Sequence, residues 1–170
     1  SEPVLFSKRT PPTMKKSLPL FQAIFDKNEV KFLKLAKSGK FPLNETEPSG
    51  RMLLSLAVIA EMPDAVAFLL EHQPELNSGD EKGWTALHFA SYCNNVGIAK
   101  QLLPVFPDVD VKDNNGNTPL WRAVYEEQVE IAGYLVSAGA GPGMKNNNGD
   151  SPLALAQAGE HEEMIGLMTP

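Results

Sequence analysis

The sequence predicts an all-α protein in which pairs of short helices repeat along the chain and are joined by projecting β-hairpin loops. Three observations support this prediction. A block of similar residues returns every 33 positions, a second apolar cluster with helical spacing follows each block, and Asn and Gly residues separate the units. Because units of this kind contact mainly their neighbours, stacking them buries a continuous core, and the predicted architecture is a solenoid.

The repeat is clearest in four blocks that each begin with a glycine and stand in register at intervals of 33 residues. The blocks read GRMLLSLA at 50–57, GWTALHFA at 83–90, GNTPLWRA at 116–123 and GDSPLALA at 149–156. A weaker copy, LPLFQA at 18–23, is one residue out of phase, as is common for a terminal repeat. We therefore expect one domain over 17–170. Its expected units are 17–49, 50–82, 83–115, 116–148 and 149–170.

The first helix of each unit is predicted to begin directly after the glycine-led turn. Thr118 is well placed as an N-cap, and Pro119 as the first helical residue, where its missing N–H costs nothing. Ser151 and Pro152 repeat this pair. The block at 50–57 lacks it, so we expect its helix to be less well capped. Helices this short are unstable alone and need neighbours to bury their apolar faces.

A second helix in each unit is predicted from apolar residues spaced at i, i+3 and i+4. These clusters lie at 65–70, 96–103, 129–135 and 164–167. Pro104 and Gly139 are stop signals for two of these helices. Between units, the Asn-Asn-Gly runs at 114–116 and 147–149 tolerate positive φ and therefore favour a tight projecting turn.

Two segments depart from the repeat. Residues 40–49 carry extra length, so we expect an irregular hairpin there. Residues 1–16 lie outside the repeats and contain three prolines. We interpret them as an extended N-terminal arm that either packs along the first repeat or is mobile.

These features together resemble the ankyrin repeat family over roughly residues 18–168. The T-P-L-H-x-A signature of that family is matched by TALHFA at 85–90, TPLWRA at 118–123 and SPLALA at 151–156. The resemblance implies a structural hydrogen-bonding role between repeats for His88. Trp121 stands at the same position one repeat later, so we expect its ring to pack against a neighbouring repeat.

Composition excludes several classes of protein. A hydrophobic content of 42% is typical of a soluble globular domain, and a single cysteine, Cys93, excludes an intrachain disulfide. The net charge of −6 argues against nucleic-acid binding, which needs clustered Lys and Arg. No apolar run is long enough to span a bilayer. We therefore expect no nucleic-acid partner and no membrane insertion.

Three short motifs suggest chemistry but fail in detail. DVDVKD at 108–113 lacks the ligand and the glycine that a calcium loop needs at its fifth and sixth positions. GAGPG at 139–143 follows a predicted helix rather than a strand, and Met144 stands where a dinucleotide fingerprint needs glycine. HEEM at 161–164 lacks the second histidine of a zinc protease motif. We therefore expect no metal, no cofactor and no catalytic residue.

Residues 33 positions apart should form columns across an exposed, concave surface of the first helices. One column contains Ile59, Tyr92, Tyr125 and Ala158, and another contains Arg51, Trp84, Asn117 and Asp150. The resemblance implies that such positions contact partners, which points to Trp84, Tyr92 and Tyr125 as an aromatic patch. The alternative is that these rings pack onto the neighbouring repeat. Arg51, Glu81, Lys82, Asn114, Asn115 and Asn117 complete the predicted partner-binding set.

An acidic group in the last two units has two interpretations. It consists of Glu126, Glu127, Glu130, Glu160, Glu162 and Glu163. These carboxylates either steer a basic partner or form a plain solvated face.

The resemblance implies a non-catalytic module that binds a protein partner of unknown identity through its concave face, as an inhibitor, an adaptor or an immunity-type protein. The alternative is a structural or scaffold fragment of a longer ankyrin array; an enzyme is not expected, because no convergent catalytic groups are present. We expect a monomer when unbound. A cytoplasmic location is favoured, and a periplasmic one stays open if a signal peptide was removed before Ser1.

Overall fold

The computed structural model describes residues 18–72 and 74–169, which form two compact units divided between Glu75 and Leu76. The predicted N-terminal arm at 1–16 lies outside the described residues. The helices of the first unit are α1 (Leu18–Phe25), α2 (Glu29–Lys37), α3 (Leu53–Ile59) and α4 (Pro63–Glu71). Those of the second are α5 (Ala86–Tyr92), α6 (Val96–Leu102), α7 (Pro119–Tyr125), α8 (Val129–Ser137), α9 (Pro152–Ala158) and α10 (Glu162–Met168).

The predicted caps form. The hydroxyl of Thr118 accepts a hydrogen bond from the Trp121 amide at 3.1 Å, and that of Ser151 accepts one from the Ala154 amide at 3.2 Å. Helix α3 has Met52 at its N-cap position and no side-chain cap, as the loss of the Thr-Pro pair predicts. Its stability comes instead from burial, because all seven of its residues are buried.

Each unit has an apolar core between its helices. In the first unit, α1 packs against α2 and α3, and α2 packs against α4. In the second unit, the first helices α5, α7 and α9 pack side by side, and so do the second helices α6, α8 and α10. The leucines that follow the leading glycines by four residues are buried at Leu54, Leu87 and Leu120, and half-buried at Leu153 in the last block. Full burial of such a side chain contributes roughly 1.5–3 kcal/mol to folding before the entropy of ordering is subtracted.

The two helices of a repeat are joined by a turn with one residue in the left-handed region. These residues are Lys27, Glu61, Asn94, Glu127 and Glu160, with φ between 50° and 59°. A side chain other than Asn or Asp at positive φ costs roughly 1–2 kcal/mol. Four of the five positions therefore carry strain that Asn94 largely avoids.

The projecting loops are tight turns rather than extended hairpins, and the described residues contain no strand beyond an isolated bridge between Thr46 and Met52. In the turn at 113–117, the Asp113 amide donates to the Asn117 carbonyl at 3.0 Å, and the Gly116 amide donates to the Asp113 carbonyl at 2.9 Å. The chain enters α7 two residues later. Each loop is therefore too short for a second pair of ladder bonds.

Neighbouring turns in the second unit are joined through asparagine side chains. The Asn114 side-chain amide donates to the Glu81 carbonyl at 2.8 Å, and that of Asn147 donates to the Asn114 carbonyl at 3.0 Å. Backbone bonds run beside them, from the Asn114 amide to the Lys82 carbonyl and from the Asn147 amide to the Asn115 carbonyl, both 3.0 Å long. The asparagines at 114 and 147 therefore hold successive turns in register.

Gly116 and Gly149 provide a matched test of this packing, because φ is +76° at the first and +89° at the second. A Cβ at position 149 would meet nothing within 4 Å, whereas one at 116 would lie 2.8 Å from the Asn147 backbone nitrogen. We expect Gly149→Ala to cost about 1 kcal/mol of unfolding free energy, and Gly116→Ala at least about 2 kcal/mol. Urea denaturation of both variants measures the difference. Equal losses would show that the contact between the turns is unimportant.

Candidate functional site

The rings of Trp84 and Tyr92 contact each other although the two residues stand at opposite ends of α5. Trp84 immediately precedes the N-cap Thr85, and Tyr92 is the last residue of the helix. Their ring centroids are 5.6 Å apart, and the indole also lies 5.2 Å from the Phe89 ring. Both rings remain partly exposed. In this part of the predicted aromatic patch, the two rings pack against each other and also remain partly accessible to a partner.

Tyr125 and Trp121 form a second pair on α7. They are four residues apart on one helix face, and their rings stack at 5.1 Å with an interplanar angle of 14°. Trp121 therefore packs against a residue of its own helix, and its packing against a neighbouring repeat stays a prediction. Tyr125 is 56% exposed. More than half of its surface therefore stays accessible to solvent, although Trp121 stacks on its ring.

Arg122 connects the two aromatic pairs. Its guanidinium carbon lies 4.3 Å from the centroid of Trp84, 5.4 Å from that of Trp121 and 5.8 Å from that of Tyr125. A guanidinium at these distances from ring faces is stabilised by cation–π attraction. The rings on α7 and the ring that precedes α5 therefore belong to one surface, which we call the aromatic–arginine surface: Trp84, Tyr92, Trp121, Arg122 and Tyr125.

Two carboxylates hold Arg122 in place. The Asp113 Oδ2 atom lies 3.6 Å from Nη2, and the Glu126 Oε1 atom lies 3.8 Å from Nη1. The Asp113 side chain is completely buried, and that of Arg122 is only 12% exposed. This pair is therefore shielded from solvent more than an ordinary surface ion pair.

Sequence reasoning missed Arg122, although a signal was present. The residues at 33-residue spacing in its column are Leu56, Phe89, Arg122 and Leu155. A lone arginine in an otherwise apolar column needs either a nearby carboxylate that balances its charge or a role in function. Inspection of the column would have identified it.

The polar residues of the predicted binding set differ in how exposed they are. Glu81, Lys82, Asn114 and Asn115 are exposed at the turns, but the amide nitrogen of Asn114 is already used between turns. Asn117 is only 5% exposed, which leaves it little surface for a partner.

Asn117 is occupied within the fold. Its Oδ1 atom accepts from the Asn146 side chain at 2.9 Å, and its backbone amide donates to the Asp113 carboxylate at 2.9 Å. Arg51 belongs to the first unit, where it is partly buried and its carbonyl accepts from the Glu47 amide at 2.9 Å.

His88 has the structural role that the resemblance implied. Its Nε2 atom lies 3.0 Å from the Asn117 carbonyl, and its Nδ1 atom lies 3.2 Å from the Thr85 amide nitrogen. Because a carbonyl only accepts and an amide N–H only donates, the ring is neutral with its proton on Nε2. Burial lowers the pKa of His88, while the hydrogen bond to Asn117 and the charge of Asp113 oppose this shift. Both nitrogens are occupied, so the ring is not placed to act as a general base.

Residues 18–72 and 74–169 contain no group of three or more His, Cys, Asp or Glu side chains that could hold a metal ion. Over the same residues, every helix is too short or too polar to cross a membrane.

Comparison with known families gives a match over most of the chain. A family model described as ankyrin repeats (3 copies) matches residues 20–113 and 98–169. Together the two matches include every residue of the aromatic–arginine surface. No curated protein matches the chain with significant similarity.

The buried pair of Asp113 and Arg122 should show strong coupling. Arg122→Leu leaves a buried carboxylate without its cation, and we expect a loss of about 2–3 kcal/mol in unfolding free energy. Adding Asp113→Asn should recover most of this loss, because the next repeat has Asn146 and Leu155 at the equivalent positions. A double-mutant cycle in urea measures the coupling. Additive effects would show that the pair contributes nothing.

His88 should make stability depend on pH. Its pKa is lowered in the folded state from an ordinary value of 6.5, so the unfolded chain binds more protons as the pH falls through about 6.5. Stability should be fully present above that pH and decrease below it, by up to about 1.4 kcal/mol per pH unit. His88→Gln should remove this slope between about pH 7.5 and about pH 5.5 in urea titrations. An unchanged slope would assign the dependence to other groups.

Proposed function

The chain belongs to the ankyrin repeat family, and from this premise we propose that it is a non-catalytic module that binds a protein partner through the aromatic–arginine surface. Proteins of this family are generally protein–protein interaction modules. The surface lies on the first helices of the second unit, where the sequence predicted a concave contact face. The family indicates the class of activity, and the geometry supports this position for it.

One observation carries the proposal. Tyr125 is 56% exposed, yet its ring is held by stacking on Trp121 and lies 5.8 Å from the Arg122 guanidinium carbon. An exposed aromatic ring fixed in one orientation loses little entropy when a partner covers it. Tyr, Trp and Arg are also the residues most enriched among interface hot spots. Three residue types favoured in interfaces therefore stand on one surface, already ordered.

The exposed turns complete the proposed contact surface. Glu81, Lys82, Asn114 and Asn115 would form a polar rim, because their side chains are exposed. Asn117 is left out, since its side chain is buried and bonded to Asn146. Arg51 stays a separate prediction for the first unit.

Binding would itself be the activity, as in an inhibitor, an adaptor or an immunity-type protein. The alternative proposal, a scaffold segment of a longer array, needs no fixed aromatic surface, so Tyr125 discriminates between them. Catalysis is not proposed, because both nitrogens of the buried His88 are engaged in hydrogen bonds.

Tyr125→Ala tests the surface most cleanly, because Trp84 and Arg122 have packing roles and Tyr125 is the most exposed of the five. We expect the variant to keep its melting temperature within a few degrees and to lose about 2 kcal/mol of partner affinity, roughly 30-fold. The measurement is quantitative mass spectrometry of proteins retained from native lysate, followed by titration of the retained partner.

The matched control is Tyr134→Ala on α8, a partly buried tyrosine outside the surface. It removes the same side chain from a second helix and should leave capture unchanged. The triple variant Trp84→Ala, Tyr92→Ala, Tyr125→Ala should abolish capture while the helical circular-dichroism signal remains. Undiminished capture by the folded triple variant would exclude the aromatic–arginine surface as the binding site.

A further inference from the structure

The charge of the chain is concentrated in its second unit. Residues 76–170 contain twelve acidic and five basic side chains, a net charge of −7, whereas residues 1–75 contain nine acidic and ten basic ones. The entire negative excess therefore belongs to the unit that carries the aromatic–arginine surface. Charge complementarity between partners raises association rates and excludes partners of like charge.

Two of these carboxylates occupy strained positions at the interhelical turns. Glu127 has φ +57° and Glu160 has φ +55°, while Asn94 fills the equivalent position one repeat earlier with φ +52°. The turn itself favours Asn or Gly here, so the geometry of the turn does not explain the glutamates. Glu127 follows Tyr125 by two residues, and its side chain is 70% exposed. Its carboxylate lies close to His161, at 3.6 Å between Oε1 and Nε2.

The surface already accommodates one guanidinium. Arg122 lies against three rings, and its Nε atom has no hydrogen-bond partner among the described residues, so rings and carboxylates form its environment. Its charge is balanced by Asp113 and Glu126. Tyr125 is 56% exposed and offers a second cation a comparable ring. Glu127, two residues further along the chain, offers it a carboxylate that is 70% exposed although it also lies 3.6 Å from His161.

We propose that the partner contacts this surface with a cationic, arginine-containing segment, whose guanidinium stacks on the exposed ring of Tyr125 and is attracted by Glu127 and Glu160. This proposal rests on the proposed function and specifies the chemistry of the partner. Arginine is preferred over lysine because its planar guanidinium stacks on aromatic rings and is less strongly hydrated.

The same charges argue against other occupants. A nucleic acid or an anionic lipid surface would be repelled by a unit of net charge −7. A second copy of this unit would bring a further −7 to the contact. A cationic protein segment is the occupant that gains from both the rings and the carboxylates.

The chain supplies its own matched variants for a test. Glu127→Asn and Glu160→Asn remove one charge each and install the residue that Asn94 already shows at this turn, so folding is preserved or slightly improved. Glu71→Gln is the control, because it removes an exposed carboxylate from the first unit. Tyr125→Ala removes the ring.

The probes are fluorescein-labelled peptides of alternating arginine and glycine, with lysine and glutamate counterparts of equal length, titrated by anisotropy against the whole chain. We expect the arginine peptide to bind more tightly than the lysine peptide, and the glutamate peptide not to bind. Each Asn variant should weaken the arginine peptide about two- to fivefold at low salt, and Tyr125→Ala by a larger factor. Glu71→Gln should change nothing, and raising the ionic strength should reduce the differences.

Two results would overturn the proposal. In the first, the arginine peptide binds with an affinity that none of Glu127→Asn, Glu160→Asn and Tyr125→Ala changes. The other is self-association in sedimentation velocity that Tyr125→Ala removes, which would assign the surface to a second copy of the chain.

The failure of this inference is distinguishable from failure of the proposed function. If Tyr125→Ala loses the natural partner while Glu127→Asn and Glu160→Asn retain it fully, the aromatic–arginine surface is the binding site but the cationic segment is wrong. If the folded triple aromatic variant still captures the partner, the binding site itself is wrong.

Discussion

The carboxylate of Asp113 is the interaction on which both the turn and the proposed surface depend. Its Oδ1 atom accepts the backbone amides of Asn115 and Asn117, each at 2.9 Å, and so closes the turn that precedes α7. Its Oδ2 atom faces Arg122 at 3.6 Å. A completely buried carboxylate is costly unless it is compensated, and here backbone donors and a guanidinium share the compensation. One side chain therefore fixes the turn and positions the centre of the surface.

The effect of this arrangement extends to the rings. Arg122 is held by carboxylates on one side and lies against Trp84, Trp121 and Tyr125 on the other. Two helices of neighbouring repeats thereby present their aromatic residues as one ordered surface. Order before binding matters because each side chain immobilised at an interface costs about 0.5–1.5 kcal/mol. The ion pair between Asp113 and Arg122 thus reduces the entropy that the surface would lose when a partner binds.

The sequence predicted the features that depend on local chemistry. Thr118 and Ser151 form N-caps because a hydroxyl in that position reaches an amide three residues on, whatever surrounds it. The glycines that lead the four blocks all have positive φ for the same local reason. The 33-residue period then determined which helices are equivalent, and the family match agrees with this assignment.

What the sequence did not predict depends on contacts between repeats. Asn117 looked like a contact residue because it follows a glycine in an exposed-seeming column, but Asn146, 29 residues away, turns its side chain inward. Arg122 escaped notice because its partners, Asp113 and Trp84, are nine and 38 residues away. Periodicity identifies equivalent positions, whereas pairwise contacts decide what each position does.

The glutamates at the interhelical turns have strained backbones, and the question is whether this strain indicates a structural or a functional role. Lys27 and Glu61 of the first unit share the left-handed conformation, so strain alone does not indicate a function. Glu127 differs because it follows an exposed, stacked tyrosine by two residues in a strongly negative unit. Neutral Asn94 shows that the same turn forms without a carboxylate. The carboxylate at 127 thus costs stability that the turn does not require, and such costs are typical of residues retained for binding rather than for folding.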